Sequence, residues 1–130
     1  MDAAQALADL KAIATQVEHA VVFEREGDVV GSTLEDEARA EAIARTASQM
    51  LDAAGVAAPG GTVIQLEAVL EDGSVVVVRD ERRAIAAVTR PDPTIGLVFY
   101  DLRACLRDLG EGAPTQAGVQ TRVEEPDAEE

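Results

Sequence analysis

Three features of the 130-residue chain predict an α+β sandwich, in which helices cover one antiparallel sheet. The first is the run from Thr62 to Arg90, TVIQLEAVLEDGSVVVVRDERRAIAAVTR, which reads as three strands joined by two tight turns. The second is a pair of short apolar runs either side of Arg25-Glu26-Gly27-Asp28, a composition suited to a hairpin turn. The third is a set of three segments with helical apolar spacing, one before, one between and one after these strand units. The element order is therefore helix, two strands, helix, three strands, helix, in about a hundred residues.

Residues 3–17 carry Ala6, Leu10, Ile13 and Val17 on one stripe, widened by Leu7 and Ala14, with Asp2 placed as the N-cap. Ala20 to Phe23 reads as a strand, and Val29–Val30 as its partner across the turn. Gly31-Ser32-Thr33 then breaks the strand, and Thr33 with Asp36 resembles a capping arrangement. The long helix spans Leu34 to Ala54, and its acidic first turn suits the positive end of the helix dipole. Ile43, Ala47, Met50 and Ala54 form an apolar row that Ala40, Ala44 and Leu51 broaden. Glu41, Arg45, Ser48 and Asp52 make a narrow polar stripe opposite. So wide an alanine arc predicts close approach on two sides, one by the sheet and the other by a partner helix. Gly55 is placed to end the helix in the left-handed conformation.

In the strand block, Ile64, Leu66, Ala68 and Leu70 point one way and Val63, Gln65, Glu67 and Val69 the other. Asp72-Gly73 supplies the first turn. Val75 to Val78 is an unbroken β-branched run, expected of a strand covered on both faces. Asp80 to Arg82 makes the second turn, and Ala84 to Val88 returns. Asp92 and Pro93 read as the N-cap and first residue of a final helix over Pro93 to Leu109. Its stripe is Ile95, Val98, Leu102, Cys105 and Leu109, supported by Phe99 and Leu106. Residues 110–130 hold six acids and one arginine, −5 of the net −14, with few large apolar groups. They read as a disordered acidic tail beyond a domain of residues 1–109.

Composition excludes several functions. A net charge of −14 and a pI near 4.3 argue against nucleic acid and against docking on anionic lipid. The chain shows no signal peptide and no apolar run of transmembrane length, which predicts a cytoplasmic protein without membrane insertion. A single cysteine, Cys105, and a single histidine, His19, predict neither a disulfide framework nor a metal site in one protomer. His19 reads as a surface or capping residue between the first helix and first strand. There is no Walker loop and no GxGxxG after a strand, and Gly60-Gly61 leads into a strand rather than a helix. The carboxylates fall in turns, helix starts and the tail. The chain thus reads as non-catalytic, with no cofactor.

The phrases VVFEREGDVVGS, EAIARTASQML, LEDGSVVVVR and IGLVFYDLRACL, in this element order, resemble the Roadblock (dynein light-chain) domain superfamily. Within it, the resemblance is to the bacterial MglB-like regulators of Ras-like small GTPases, and it covers about residues 2–109. It implies a profilin-like sandwich with a five-stranded antiparallel sheet of order 2-1-5-4-3. The long helix would lie on one face and the two terminal helices on the other. It further implies a homodimer formed through the third strand and the long helix, with a GTPase docked on the paired long helices. Carried onto this chain, the dimer contacts are Ala40, Ile43, Ala44, Ala47, Met50 and Leu51 with Val63, Gln65, Glu67 and Val69. The GTPase-facing residues are Glu41, Arg45, Ser48, Gln49 and Asp52. Two other functions fit the sequence. One is a scaffold subunit of a motor or signalling complex, without effect on GTP hydrolysis. The other is a small-molecule sensor, which the few aromatic residues disfavour.

Overall fold

The computed structural model describes residues 2–58, 60 and 64–112. Its elements are α1 (Ala3–Ile13), β1 (Val17–Glu24), β2 (Val29–Ser32), α2 (Glu37–Ala57), β3 (Gln65–Leu70), β4 (Gly73–Arg79), β5 (Arg83–Thr89) and α3 (Ile95–Gly112). The strands form one antiparallel sheet of order β2-β1-β5-β4-β3, as the resemblance implies. Two cores sandwich it. On one face Ala20, Val22, Val76, Val78, Ile85 and Ala87 pack under α1 and α3. On the other, Val21, Phe23, Val77, Ala84 and Ala86 pack under α2. The unbroken valine run is explained by this arrangement, because alternate residues of β4 serve opposite cores.

Several boundaries differ from the sequence expectation, each for a local reason. α1 stops at Ile13 because Ala14 leaves the helical region, with φ −93 and ψ 79, and its N–H closes on the Leu10 carbonyl at 2.7 Å. Ile13 is consequently 71% exposed, and Val17 opens β1 instead of closing the helix stripe. The Lys11 amine donates to the carbonyls of Val17 (3.1 Å) and Glu18 (2.9 Å), tying the helix end to the strand start. His19 therefore lies within β1, half-buried. β2 continues through Gly31 and Ser32 instead of breaking there. A Cβ on Gly31 would sit 2.8 Å from that of Ala3, so the missing side chain lets α1 rest on this strand.

α2 is capped by Asp36, whose carboxylate accepts the Arg39 N–H at 3.2 Å. It runs through Gly55 to Ala57, so Gly55 is helical and does not end it. One glycine in an alanine-rich helix costs only about 1 kcal/mol, too little to stop propagation. Asp92 is not the cap of α3. It takes φ +54 in the preceding turn, and the helix starts at Ile95 after Thr94, whose carbonyl accepts from Leu97 and Val98. At its other end α3 continues past Leu109 to Gly112. The β3–β4 turn consists of Glu71 and Asp72, since Leu70 pairs with Gly73. Gly73 adopts φ +150, and a Cβ there would run into the Thr89 carbonyl oxygen.

Leu102 is fully buried beneath α3, whereas Ile13 faces water. Leu102→Ala should cost about 2–5 kcal/mol in denaturant unfolding, and Ile13→Ala less than about 0.5 kcal/mol.

Candidate functional site

The surface of α2 divides lengthwise into strips. Ala40, Ala44, Ala47 and Leu51, spaced to lie on one face, are buried against the chain's own sheet. At about 100° per residue, Glu41, Arg45, Ser48 and Asp52 occupy one flank, and Ile43, Met50 and Ala54 the other. The polar flank turns toward the β1–β2 hairpin. Glu41, Arg45, Ser48 and Gln49 form one wall of a shallow cleft of about 330 Å³ whose other wall is Glu26, Gly27, Asp28 and Val29. A smaller neighbouring cleft, about 110 Å³, brings Ser48 and Asp52 together with Arg25, Arg79 and Arg83. The stripe is therefore a polar groove wall carrying both signs of charge. The opposite flank, with Ile43 and Met50 half-buried, turns toward the β3 side of the sheet, where Leu66 packs against the same core as Ile43.

β3 is one of the two edge strands. Its hydrogen-bonding phase follows from one contact, the Arg79 N–H donating to the Ile64 carbonyl at 2.8 Å. Ile64 stands opposite Arg79 by continuation of the Gln65–Val78 register. In an antiparallel ladder the N–H and C=O of a residue share a side, and the side alternates along the strand. Ile64, Leu66, Ala68 and Leu70 thus bond toward β4. Gln65, Glu67 and Val69 turn their backbone groups outward. Their side chains lie on the α3 face, where the Arg103 guanidinium donates to the Gln65 amide oxygen at 2.8 Å. Glu67 accepts the hydroxyl of the buried Ser74 at 3.2 Å. Ile64, Val69 and Leu70 are each more than half exposed along this edge.

The residues expected to meet a second copy accordingly separate. Ala40, Ala44, Ala47 and Leu51 are at most 4% exposed within one chain and have no surface left to offer. Ile43 and Met50, with Gln65, Glu67 and Val69, lie along the β3 side and keep accessible surface. Val63 lies outside the described residues. Of the five residues expected to face a GTPase, Glu41, Arg45, Gln49 and Asp52 are exposed and Ser48 is half-buried, and all five share one stretch of groove wall. Sequence reasoning missed the opposing residues, Glu26, Asp28, Arg25, Arg79 and Arg83, because only the tertiary fold carries α2 past those turns. It also missed Arg103, whose outward position follows from the helix period once the buried stripe is fixed.

No protein-family model and no curated protein sequence matches the chain. Solved structures do. A Roadblock/LC7 domain from Streptomyces avermitilis superposes with a TM-score of 0.77 at 18% identity, covering 88% of this chain and all of that one. The gliding protein MglB of Thermus thermophilus gives 0.69 at 14% identity, over 84% of this chain and 86% of that one. Profilin IB of Acanthamoeba castellanii is a more distant likeness, with a TM-score of 0.53 at 12% identity over 76% of this chain and 90% of that one. The chain therefore has the Roadblock/LC7 fold.

Among the described residues no group of His, Cys, Asp and Glu is arranged to hold a metal ion. No described helix is long and apolar enough to cross a membrane. Cys105, buried between α3 and α1, donates its thiol to the Ala6 carbonyl at 3.7 Å. Burial, followed by the carboxylates of Asp108 and Asp9, pushes its pKa from 9.0 to about 11. The native thiol should resist alkylation at pH 8 and react only after denaturation. Folding favours its protonated form, so that contribution to stability is complete below pH 9 and lost as pH rises toward 11. Chemical denaturation across pH 8–11 should show the decline, and a Cys105→Ala variant should lack it.

Proposed function

We propose that the protein is a non-catalytic, self-associating regulator or scaffold that docks a Ras-like small GTPase on α2 and modulates its nucleotide cycle or location. The observation that carries this reading is the division of labour on α2. One strip is consumed by the chain's own sheet, one polar flank walls a groove, and one apolar flank runs beside an open strand edge. A second copy paired along β3 would extend the sheet and bring two α2 helices side by side. The polar stripe of each copy would then flank a single two-fold platform. The Roadblock/LC7 fold, the MglB likenesses and the family resemblance of the sequence point the same way. One of the similar structures is an MglB with a tetrameric arrangement, a precedent for self-association on this scaffold.

The groove carries Glu41, Arg45 and Asp52, so it suits a polar, mixed-charge partner surface better than an apolar ligand. The acidic segment beyond residue 112 would add long-range attraction for a basic face of that partner. A scaffold that binds the GTPase without altering hydrolysis differs from a regulator in one measurement, nucleotide turnover in the complex.

Static light scattering and binding to a panel of Ras-like GTPases, each in GDP and GTP-analogue states, test the reading. Met50→Glu should weaken self-association at least about tenfold, because it places an unpaired charge in the helix contact. Arg45→Glu should leave self-association intact and weaken GTPase binding about tenfold. Failure of every GTPase in both states to bind the wild-type protein would contradict the proposal. Binding with unchanged turnover would assign the scaffold role.

A further inference from the structure

Resting on the reading that a second copy pairs along β3, we propose that the pairing has one register, set by Arg103 and Glu67. In this register Gln65 stands opposite Glu67 of the second copy, and the two-fold axis passes between the two Leu66 residues.

The outward backbone groups of β3 belong to Gln65, Glu67 and Val69, so only these residues can form the hydrogen-bonded pairs of an antiparallel β3–β3 ladder. A two-fold axis near the strand centre then leaves three registers. Counted from Ile64, whose carbonyl already bonds to β4, to Leu70, the register that overlaps the strands most fully sets Glu67 opposite itself. Two carboxylates would face each other on the α3 side at the centre of the interface, which is destabilising for directly opposed residues. A shift in one direction sets Glu67 opposite Val69 around an Ala68 pair. That shift lays the carboxylate against a valine and supplies no cation to it. A shift in the other direction sets Glu67 opposite Gln65 around a Leu66 pair.

Only the last places Glu67 beside the Gln65 side chain that the Arg103 guanidinium already grips at 2.8 Å. A guanidinium has five N–H donors, and one bond to an amide oxygen leaves others to meet a carboxylate arriving across the strand edge. The two-fold makes this ion pair twice, once on each side of the axis. On the α2 face the same register opposes Leu66 with Leu66 and Ile64 with Ala68, covering part of the apolar edge where Ile64 is 62% exposed. Charge on one face and apolar cross-strand contact on the other select the same alignment.

Single cysteines distinguish the registers, because each self-opposed pair lies within disulfide reach, about 4.5–5.5 Å between Cα atoms. The native Cys105 is buried and serves as the silent background. Under mild oxidation Leu66→Cys should give a disulfide-linked dimer, and Glu67→Cys and Ala68→Cys should give at least about tenfold less. Separately, Arg103→Glu and Glu67→Arg should each weaken self-association roughly tenfold, and the two reversals combined should restore it. Preferential cross-linking at position 67 or 68 in a dimeric protein, or no rescue by the double reversal, would overturn the register while leaving β3 pairing standing. A wild-type protein that is monomeric in light scattering would overturn both.

Discussion

The ladder between β1 and β5 is the constraint on which the rest of the arrangement depends. It joins the N-terminal hairpin to the C-terminal meander between residues far apart in the chain, from Val17–Thr89 to Glu24–Arg83. Once β5 lies beside β1, β4 must take its other side, and β2 and β3 are forced to the margins. Ala20, Val21, Val22, Ile85, Ala86 and Ala87 are all essentially inaccessible, because the two central strands are covered on both faces. The small alanines of β5 let helices approach from above and below without a break in packing. The two edges fare differently. β2 has four residues and lies close under α1 through Gly31. β3 has six, exposes Val69 and Leu70, and carries three residues whose backbone groups turn outward. An exposed edge strand of this kind invites another strand.

α2 completes the logic. Its inner alanines bring it close to Val21, Phe23, Val77 and Ala86, and its two flanks lie over the same face of the sheet, one toward the β1–β2 hairpin and the other toward β3. The flank over the hairpin is polar and walls a groove. The flank over β3 is apolar and half-covered. Under the proposed function, this single helix would separate self-association from partner docking by the width of its buried strip, so substitutions on one flank would leave the other undisturbed.

Much of this is legible in the sequence. The period-2 alternation of Gln65 to Leu70, the valine run of β4 and the stripe of α3 each predict the observed element and its buried face. Boundaries are less legible. Val17 fits the α1 period by coincidence of spacing, and only the β1–β5 ladder claims it for the sheet. Gly55 has the local chemistry of a helix terminator, but flanking alanines carry the helix past it. On α2, helical spacing identifies an apolar arc without saying which part the sheet will occupy. Ala40, Ala44, Ala47 and Leu51 therefore read as partner contacts, although the chain's own sheet takes them. The clefts along this stripe are invisible in the sequence, since Asp28 reaches the one walled by Glu41 and Arg45, and Arg79 the one beside Ser48 and Asp52, only through tertiary structure.

The central claim is that the outer edge of β3 is closed by a second copy. Backbone amide exchange, followed by NMR at a series of protein concentrations, reads it residue by residue. The amides of Leu66 and Ala68 bond to β4 within one chain and should exchange slowly throughout. Those of Gln65, Glu67 and Val69 should be protected at concentrations where the protein is assembled, and should speed up on dilution. Fast exchange of these three at every concentration, with Leu66 and Ala68 still protected, would contradict it.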